Sequence, residues 1–104
     1  MTLAEIQAML AEADPDIKHY FTAKDGAYSY WEETKRLPTM ADDRHTEEAW
    51  RFYVHRYTQD PWDPVVRHIM AALDARPEVA VSYDVDSSNE DSEYVHHIWE
   101  CEGY

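Results

Sequence analysis

The sequence predicts an α+β fold: a single domain, residues 1–104, with an antiparallel sheet of about five strands carrying two helices, in the order α-β-β-β-α-β-β. Apolar residues recur at helical spacing in two stretches, each opened by a capping residue and closed by a proline. Several shorter runs alternate apolar and polar residues, as half-buried strands do. The scale fits as well. A chain of 104 residues, 44% hydrophobic with four Trp and eight Tyr, is enough for one self-standing core, and no internal repeat, low-complexity tract or linker divides it.

The first helix opens on "TLAE", a capping box in which Thr2 accepts from the amide of Glu5 while Glu5 reaches back to the amide of Thr2. Leu3, Ile6, Leu10 and Ala13, with Met9 beside them, share one face, and Pro15 after Asp14 ends the run. The aromatic runs "IKHYF" (17–21) and "AYSYW" (27–31) flank Asp25-Gly26 and predict a hairpin. Residues 32–46, "EETKRLPTMADDRHT", contain Pro38 and show no clean period, which predicts a long loop. In "AWRFYVHRYT", Trp50, Phe52 and Val54 point one way and Arg51, Tyr53, His55 and Tyr57 the other, the pattern of a central strand with an amphipathic second face. Asp63 then caps, and Pro64 opens, a second helix to about Arg76, because proline lacks an amide that the first turn leaves unpaired anyway. Its buried stripe is Val66, Ile69, Met70 and Leu73, with His68 opposite and Pro77 as the stop. Val79, Val81, Tyr83 and Val85 mark a fourth strand, and Val95, His97, Trp99 and Cys101 a fifth, with an acidic hairpin loop between them.

Charge narrows the function. Nine Lys and Arg against 22 Asp and Glu leave a net charge of −13, which repels phosphate backbones, so sequence reading or groove docking on DNA is disfavoured. Cys101 is the only cysteine, so no intrachain disulfide forms and nothing indicates an oxidising compartment. "MTLAEIQAML" lacks the basic flank and apolar run of a signal peptide, and no stretch approaches the roughly 18 apolar residues of a membrane span. The expectation is a soluble protein of intracellular synthesis with no membrane partner.

Two motifs suggest metal chemistry and fail on geometry. Asp84, Asp86 and Ser88 are spaced like the first ligands of a calcium loop, but the sixth and twelfth places hold Asn89 and Val95, where that loop needs a turn-forming Gly and a bidentate Glu. The cluster Asp84, Asp86, Glu90, Asp91 and Glu93 reads better as a solvated hairpin tip. "HHIWEC" offers His96, His97 and Cys101 to zinc, yet adjacent strand residues face opposite ways, and His97 and Cys101 stand about 13 Å apart at strand rise. That separation equally removes a Cys-His nucleophile pair, leaving Cys101 as a small apolar residue and His97 as a packed or interface histidine. With only Gly26 and Gly103 present, no phosphate-cradling loop exists. Among 22 acids no particular carboxylate pair is signalled for acid-base work, so no catalytic residue, metal or cofactor is expected. Tyr28, Tyr30, Trp31, Tyr53 and Tyr57 can form a contact surface, since Tyr and Trp make large amphipathic contacts.

From "YTQDPWDPVVRHIMAAL" onward the chain resembles small phage and prophage proteins described as tail terminator, tail completion or head-tail joining proteins. The resemblance rests on Tyr57-Thr58 closing a strand, a short spacer, Asp63-Pro64 opening a helix through Leu73, and the last strand "IWECE"; the opening "MTLAEI" extends it over most of the chain. The chain departs from the family pattern at "AKDGAYSYW", where a proline-rich approach is usual, and at Cys101, where a larger apolar residue is usual. What the resemblance implies is a non-enzymatic subunit of a hexameric ring on the head-proximal end of a tail tube. Its implied partners are other copies of itself, the tail tube protein and a neck or head-closure protein, with DNA passing through unheld. Its implied places are the bacterial host cytoplasm during assembly and then the virion neck. A negative conduit suits that passage. Ring closure needs one surface to meet a different one on the neighbour, and Tyr53, His55 and Tyr57 on the amphipathic strand, with Asp86, Glu90 and Asp91 on the terminal hairpin, are the candidate surface. The alternative is an acidic decoy whose carboxylates imitate DNA phosphates and occupy a host nuclease or restriction enzyme.

Overall fold

The computed structural model describes residues 1–21, 25–39, 48–86 and 94–104. Its elements are α1 (Leu3–Ala13), β1 (Lys18–His19), β2 (Tyr28–Arg36), β3 (Trp50–Thr58), α2 (Pro64–Asp74), β4 (Val79–Asp86) and β5 (Val95–Gly103). Local chemistry sets the helix ends. The Glu5 amide donates to Thr2 Oγ1 at 3.1 Å and the Thr2 amide to Glu5 Oε1 at 3.2 Å, so two amides of the first turn of α1 are satisfied reciprocally. At the far end Asp14 is extended and its Oδ1 accepts from the Asp16 amide at 3.0 Å, turning the chain around Pro15. In α2 the Val65 amide donates to Asp63 Oδ1 at 3.0 Å, Pro64 stands first, and Ala75 caps the helix after Asp74.

The strands form one sheet in the order β1-β2-β3-β5-β4. From β2 to β4 every pairing is antiparallel, while β1 runs parallel to β2, with Lys18 opposite Tyr30 and His19 opposite Trp31. The sheet is therefore mixed, and the hairpin expected from 17–21 and 27–31 does not form. After two strand residues Tyr20, at φ 73, turns the chain out of line while its amide donates to the Trp31 carbonyl at 2.7 Å. Gly26, at φ 82, does sit in the left-handed region that its lack of a Cβ permits, but it leads into β2 from a loop.

The long loop expected over 32–46 begins later than its composition suggests. Glu32–Arg36 continues β2 and pairs with β3 as far as Arg36 opposite Trp50, with a register shift between Glu33 and Lys35. Backbone pairing with a central strand overrides the polar side chains here, and Glu33 is engaged by His19 Nε2 at 2.5 Å and by the Tyr20 hydroxyl. The Leu37 amide then donates to the Ala49 carbonyl at 2.7 Å, closing that end of the pair.

Both helices pack on one face. Ile6, Met9 and Leu10 of α1 and Ile69 and Leu73 of α2 close over Trp31, Phe52, Val54, Trp99 and Cys101, all buried. Trp31 is fully enclosed, and its indole N–H donates to Gln7 Oε1 at 2.6 Å. Cover fades along β4: Val79 is buried, Val81 half-buried, and Tyr83 and Val85 are 38% and 43% exposed. The molecule is elongated, 50 × 23 × 21 Å. Among the described residues no helix is long and apolar enough to cross a membrane.

Candidate interaction surface

The sheet face away from the helices is organised in cross-strand rows. Because side chains alternate and the register is continuous, Tyr28, Tyr57, His96 and Asp86 form one row, Tyr30, His55, Ile98 and Asp84 the next, and Glu32, Tyr53, Glu100 and Ser82 a third. The rings lie nearly parallel. Tyr57 stacks on His96 with centroids 4.1 Å apart, Tyr28 on Tyr57 at 5.0 Å, Tyr30 on His55 at 4.4 Å, and His55 on His96 at 5.0 Å. His55 is only 6% exposed, enclosed from the sides by its neighbours in the sheet.

The polar atoms are directional. His55 Nδ1 lies 2.8 Å from His96 Nε2, and His55 Nε2 lies 3.3 Å from Glu32 Oε1. A carboxylate only accepts, so His55 donates from Nε2 to Glu32; with burial favouring the uncharged imidazole, its bare Nδ1 accepts the Nε2–H of His96. Both rings are then neutral in the same tautomer. Their titration fits: burial holds the His55 imidazole below its ordinary range against the pull of Glu32, and burial and then the neighbouring His55 hold His96 down. Burial raises the phenols of Tyr30, Tyr57 and Tyr28, so they remain protonated donors. Towards β4 the surface turns acidic, with a shallow depression lined by Tyr53, Ser82, Asp84, Ile98 and Glu100.

The structure therefore brings Tyr53, His55 and Tyr57 together with Asp86, which ends the His96 row. Glu90 and Asp91 lie outside the described residues. Tyr28 and Tyr30 join the surface; Trp31, grouped with them on composition, faces the core instead, because the alternation of "YSYW" separates it from both tyrosines. His96 and Glu32 were missed as partners of His55. Splitting "HH" across two faces foretold that one histidine would reach the open side, but the register that places His96 beside His55 is not local information.

The remaining candidates hold structure. His97 takes the helix-side face, its Nδ1 2.6 Å from the Tyr83 hydroxyl. Burial pushes the Cys101 thiol up to about 12, far from a reactive thiolate. Asp63 accepts from Arg56 Nε at 2.8 Å through Oδ2 while its Oδ1 caps α2, so the Tyr57-Thr58 and Asp63-Pro64 signature locks the end of β3 to the start of α2. Among the described residues no three His, Cys, Asp or Glu side chains gather as a metal ligand set.

No protein-family model and no curated protein matches the sequence. Among solved structures, the chain is similar to a sheath/tube terminator of an extracellular contractile injection system in its extended state, at a TM-score of 0.42 and 9% identity. That match covers 99% of this chain, which spans 56% of the length of the other. Likeness at this level identifies neither a family nor a role.

Proposed function

We propose that the chain is a non-enzymatic phage or prophage assembly subunit, a tail terminator or tail completion protein. It forms a hexameric ring on the head-proximal end of the tail tube, binding its own copies, the tube protein and a neck or head-closure protein. It is made in the bacterial host cytoplasm and ends in the virion neck. The observation that carries this reading is the sheet face opposite the helices, where half-buried Tyr28, Tyr53, Tyr57 and His96 form ordered rows around the buried Tyr30 and His55, with Phe21 edge-on to Tyr28 and Tyr30 and no helix over them among the described residues. Rigid stacked rings lose little conformational freedom on association and offer broad amphipathic contact, as a ring interface between unlike surfaces requires. The sequence resemblance to tail terminators supplies the setting, and a net charge of −13 suits a passage that must not retain DNA.

The test adds purified protein to isolated tail tubes and images them by negative stain. End caps are expected with the native chain and not with a Tyr53→Ala/Tyr57→Ala variant whose circular dichroism is unchanged. Tubes left bare by the native protein, together with a salt-sensitive 1:1 complex with a basic nuclease, would replace this reading with the acidic decoy.

A further inference from the structure

β4 ends the sheet, and among the described residues no strand lies on its outer side. Of the devices that blunt an edge it carries only two charges, Asp84 and Asp86 towards one end: Val79–Asp86 holds no lysine and no proline, and its register with β5 is unbroken. The outward-facing backbone can be identified. The Val85 amide donates to the Asp84 carboxylate at 2.8 Å and the Val79 amide to the Arg76 carbonyl at 3.1 Å, so neither bonds β5. In an antiparallel ladder the phase alternates, which directs the backbone groups of Val79, Val81, Tyr83 and Val85 outward. The same four residues form the side-chain stripe on the helix face, covered at the Val79 end and open at the Val85 end.

We propose that β4 pairs antiparallel with β4 of a second copy about a twofold axis at Ser82, giving a continuous sheet with all the helices on one side. Val81 then faces Tyr83 of the other copy, a pair that exchanges both backbone hydrogen bonds, and Val79 faces Val85, where the Val79 carbonyl accepts from the Val85 amide while the Val79 amide stays on Arg76. Each exposed Tyr83 and Val85 comes beside the half of the partner's strand that lies under α2, which supplies the cover it lacks. Charge opposes this register at one pair only, and Arg76 reduces the cost there. Asp84 faces Ala80, and Asp86 meets Glu78, whose charge is offset by Arg76 at 3.3 Å, so the guanidinium stands close to the incoming carboxylate. Moving the axis to Val81 would bring Pro77 to a place that needs an amide, and moving it to Tyr83 would set the two exposed Tyr83 rings opposite each other, away from the covered half of either strand. The Asp84 carboxylate must release the Val85 amide as the second strand arrives. This pairing joins like to like and leaves the aromatic face open, so it does not depend on the ring reading and describes the protein free of tubes.

Oxidative cross-linking of the free protein tests it. At the axis, two Ser82 residues form a non-hydrogen-bonded pair with Cα atoms about 4.5 Å apart, within disulfide reach. Ser82→Cys should cross-link to itself. Ala80→Cys should not, since its two copies stand about 14 Å apart along the strands. Buried Cys101 does not compete. Sedimentation should give twice the 12.3 kDa chain mass for the native protein, and Tyr83→Lys/Val85→Lys, which alters exposed positions, should halve it. A native mass of 12.3 kDa, or equal cross-linking at the two cysteine positions, would overturn the proposal.

Discussion

Asp63→Asn separates two duties of one side chain. Asp63 caps α2 through Oδ1 and accepts from Arg56 through Oδ2, and the two side chains are 6% and 10% exposed. Asparagine caps as well as aspartate does, but it has a single oxygen. With that oxygen on the Val65 amide, its NH2 faces the Arg56 N–H, donor against donor, and among the described residues the guanidinium keeps Ser29 Oγ at 3.2 Å and Asp14 Oδ2 at 3.7 Å. Removing one partner of a buried pair costs about 3–5 kcal/mol, and the residual Asp14 charge places this case near the lower figure. For a domain of this size, a loss of ~3 kcal/mol lowers Tm by roughly 12–24 °C. Urea titration at neutral pH measures it, and Arg56→Met in the Asp63→Asn background should recover part of the loss, because no unpaired guanidinium remains buried. Burial pushes the Asp63 carboxyl up, but the bonds from Arg56 and Val65 outweigh it and hold the group below its ordinary 3.8. Its contribution is therefore fully present above that value and fades as pH falls through the folded one, so native and Asp63→Asn stabilities should converge in acid. A loss under about 1 kcal/mol, the size expected for an exposed pair, would refute the locking role given to this contact.

Two further outcomes follow from the same structure. His55, His96 and His97 are all held below the ordinary 6.5 by burial, so the unfolded chain takes up protons first; urea midpoints should fall as pH drops below about 6.5 and again, through Asp63 and Glu33, below about 4.5. His96→Gln should flatten the upper limb alone, and a native midpoint constant between pH 7 and pH 5 would contradict the neutral pair. At the end of β5, a Cβ on Gly103 would stand 2.9 Å from Met1 Sδ and 3.2 Å from Phe52 Cε1. Gly103→Ala should therefore cost about 1–3 kcal/mol in the same titration, and a neutral result would show that Met1 and the buried Phe52 ring can yield.

What could be read from the chain alone was what is decided locally. The capping box spans four residues, and Asp63-Pro64 two, so both helix starts were legible, as was the division of β3 into a core face of Phe52 and Val54 and an open face of Tyr53, His55 and Tyr57. Pairing was not legible. His55 and His96 are 41 residues apart, and only the register of β3 with β5 makes them neighbours. β1 was misread for a related reason: Asp25-Gly26 signals a turn but not which strands the turn joins, and Tyr20 takes the chain away from β2 after two paired residues. Glu32–Arg36 looked like a loop because a strand whose side chains face solvent, or meet His19 and Tyr20, needs no apolar alternation.

The two faces of the sheet divide the work physically, which makes the functional reading separable from stability. The helix side holds the buried Trp31, Phe52, Trp99, Ile69 and Leu73, where truncation of a large side chain costs about 2–5 kcal/mol and would confound any assembly assay. Tyr53 and Tyr57 are only partly covered and rest on neighbours within their own sheet, so their truncation removes contact area without opening a cavity in that core. His55 differs, being enclosed and hydrogen-bonded on both nitrogens, and replacing it would unsettle the rows. A Tyr53→Ala/Tyr57→Ala chain that keeps its urea midpoint yet fails to cap tubes would thus assign the defect to the surface. Loss of the fold together with capping would instead show that the rows are part of what holds the sheet together.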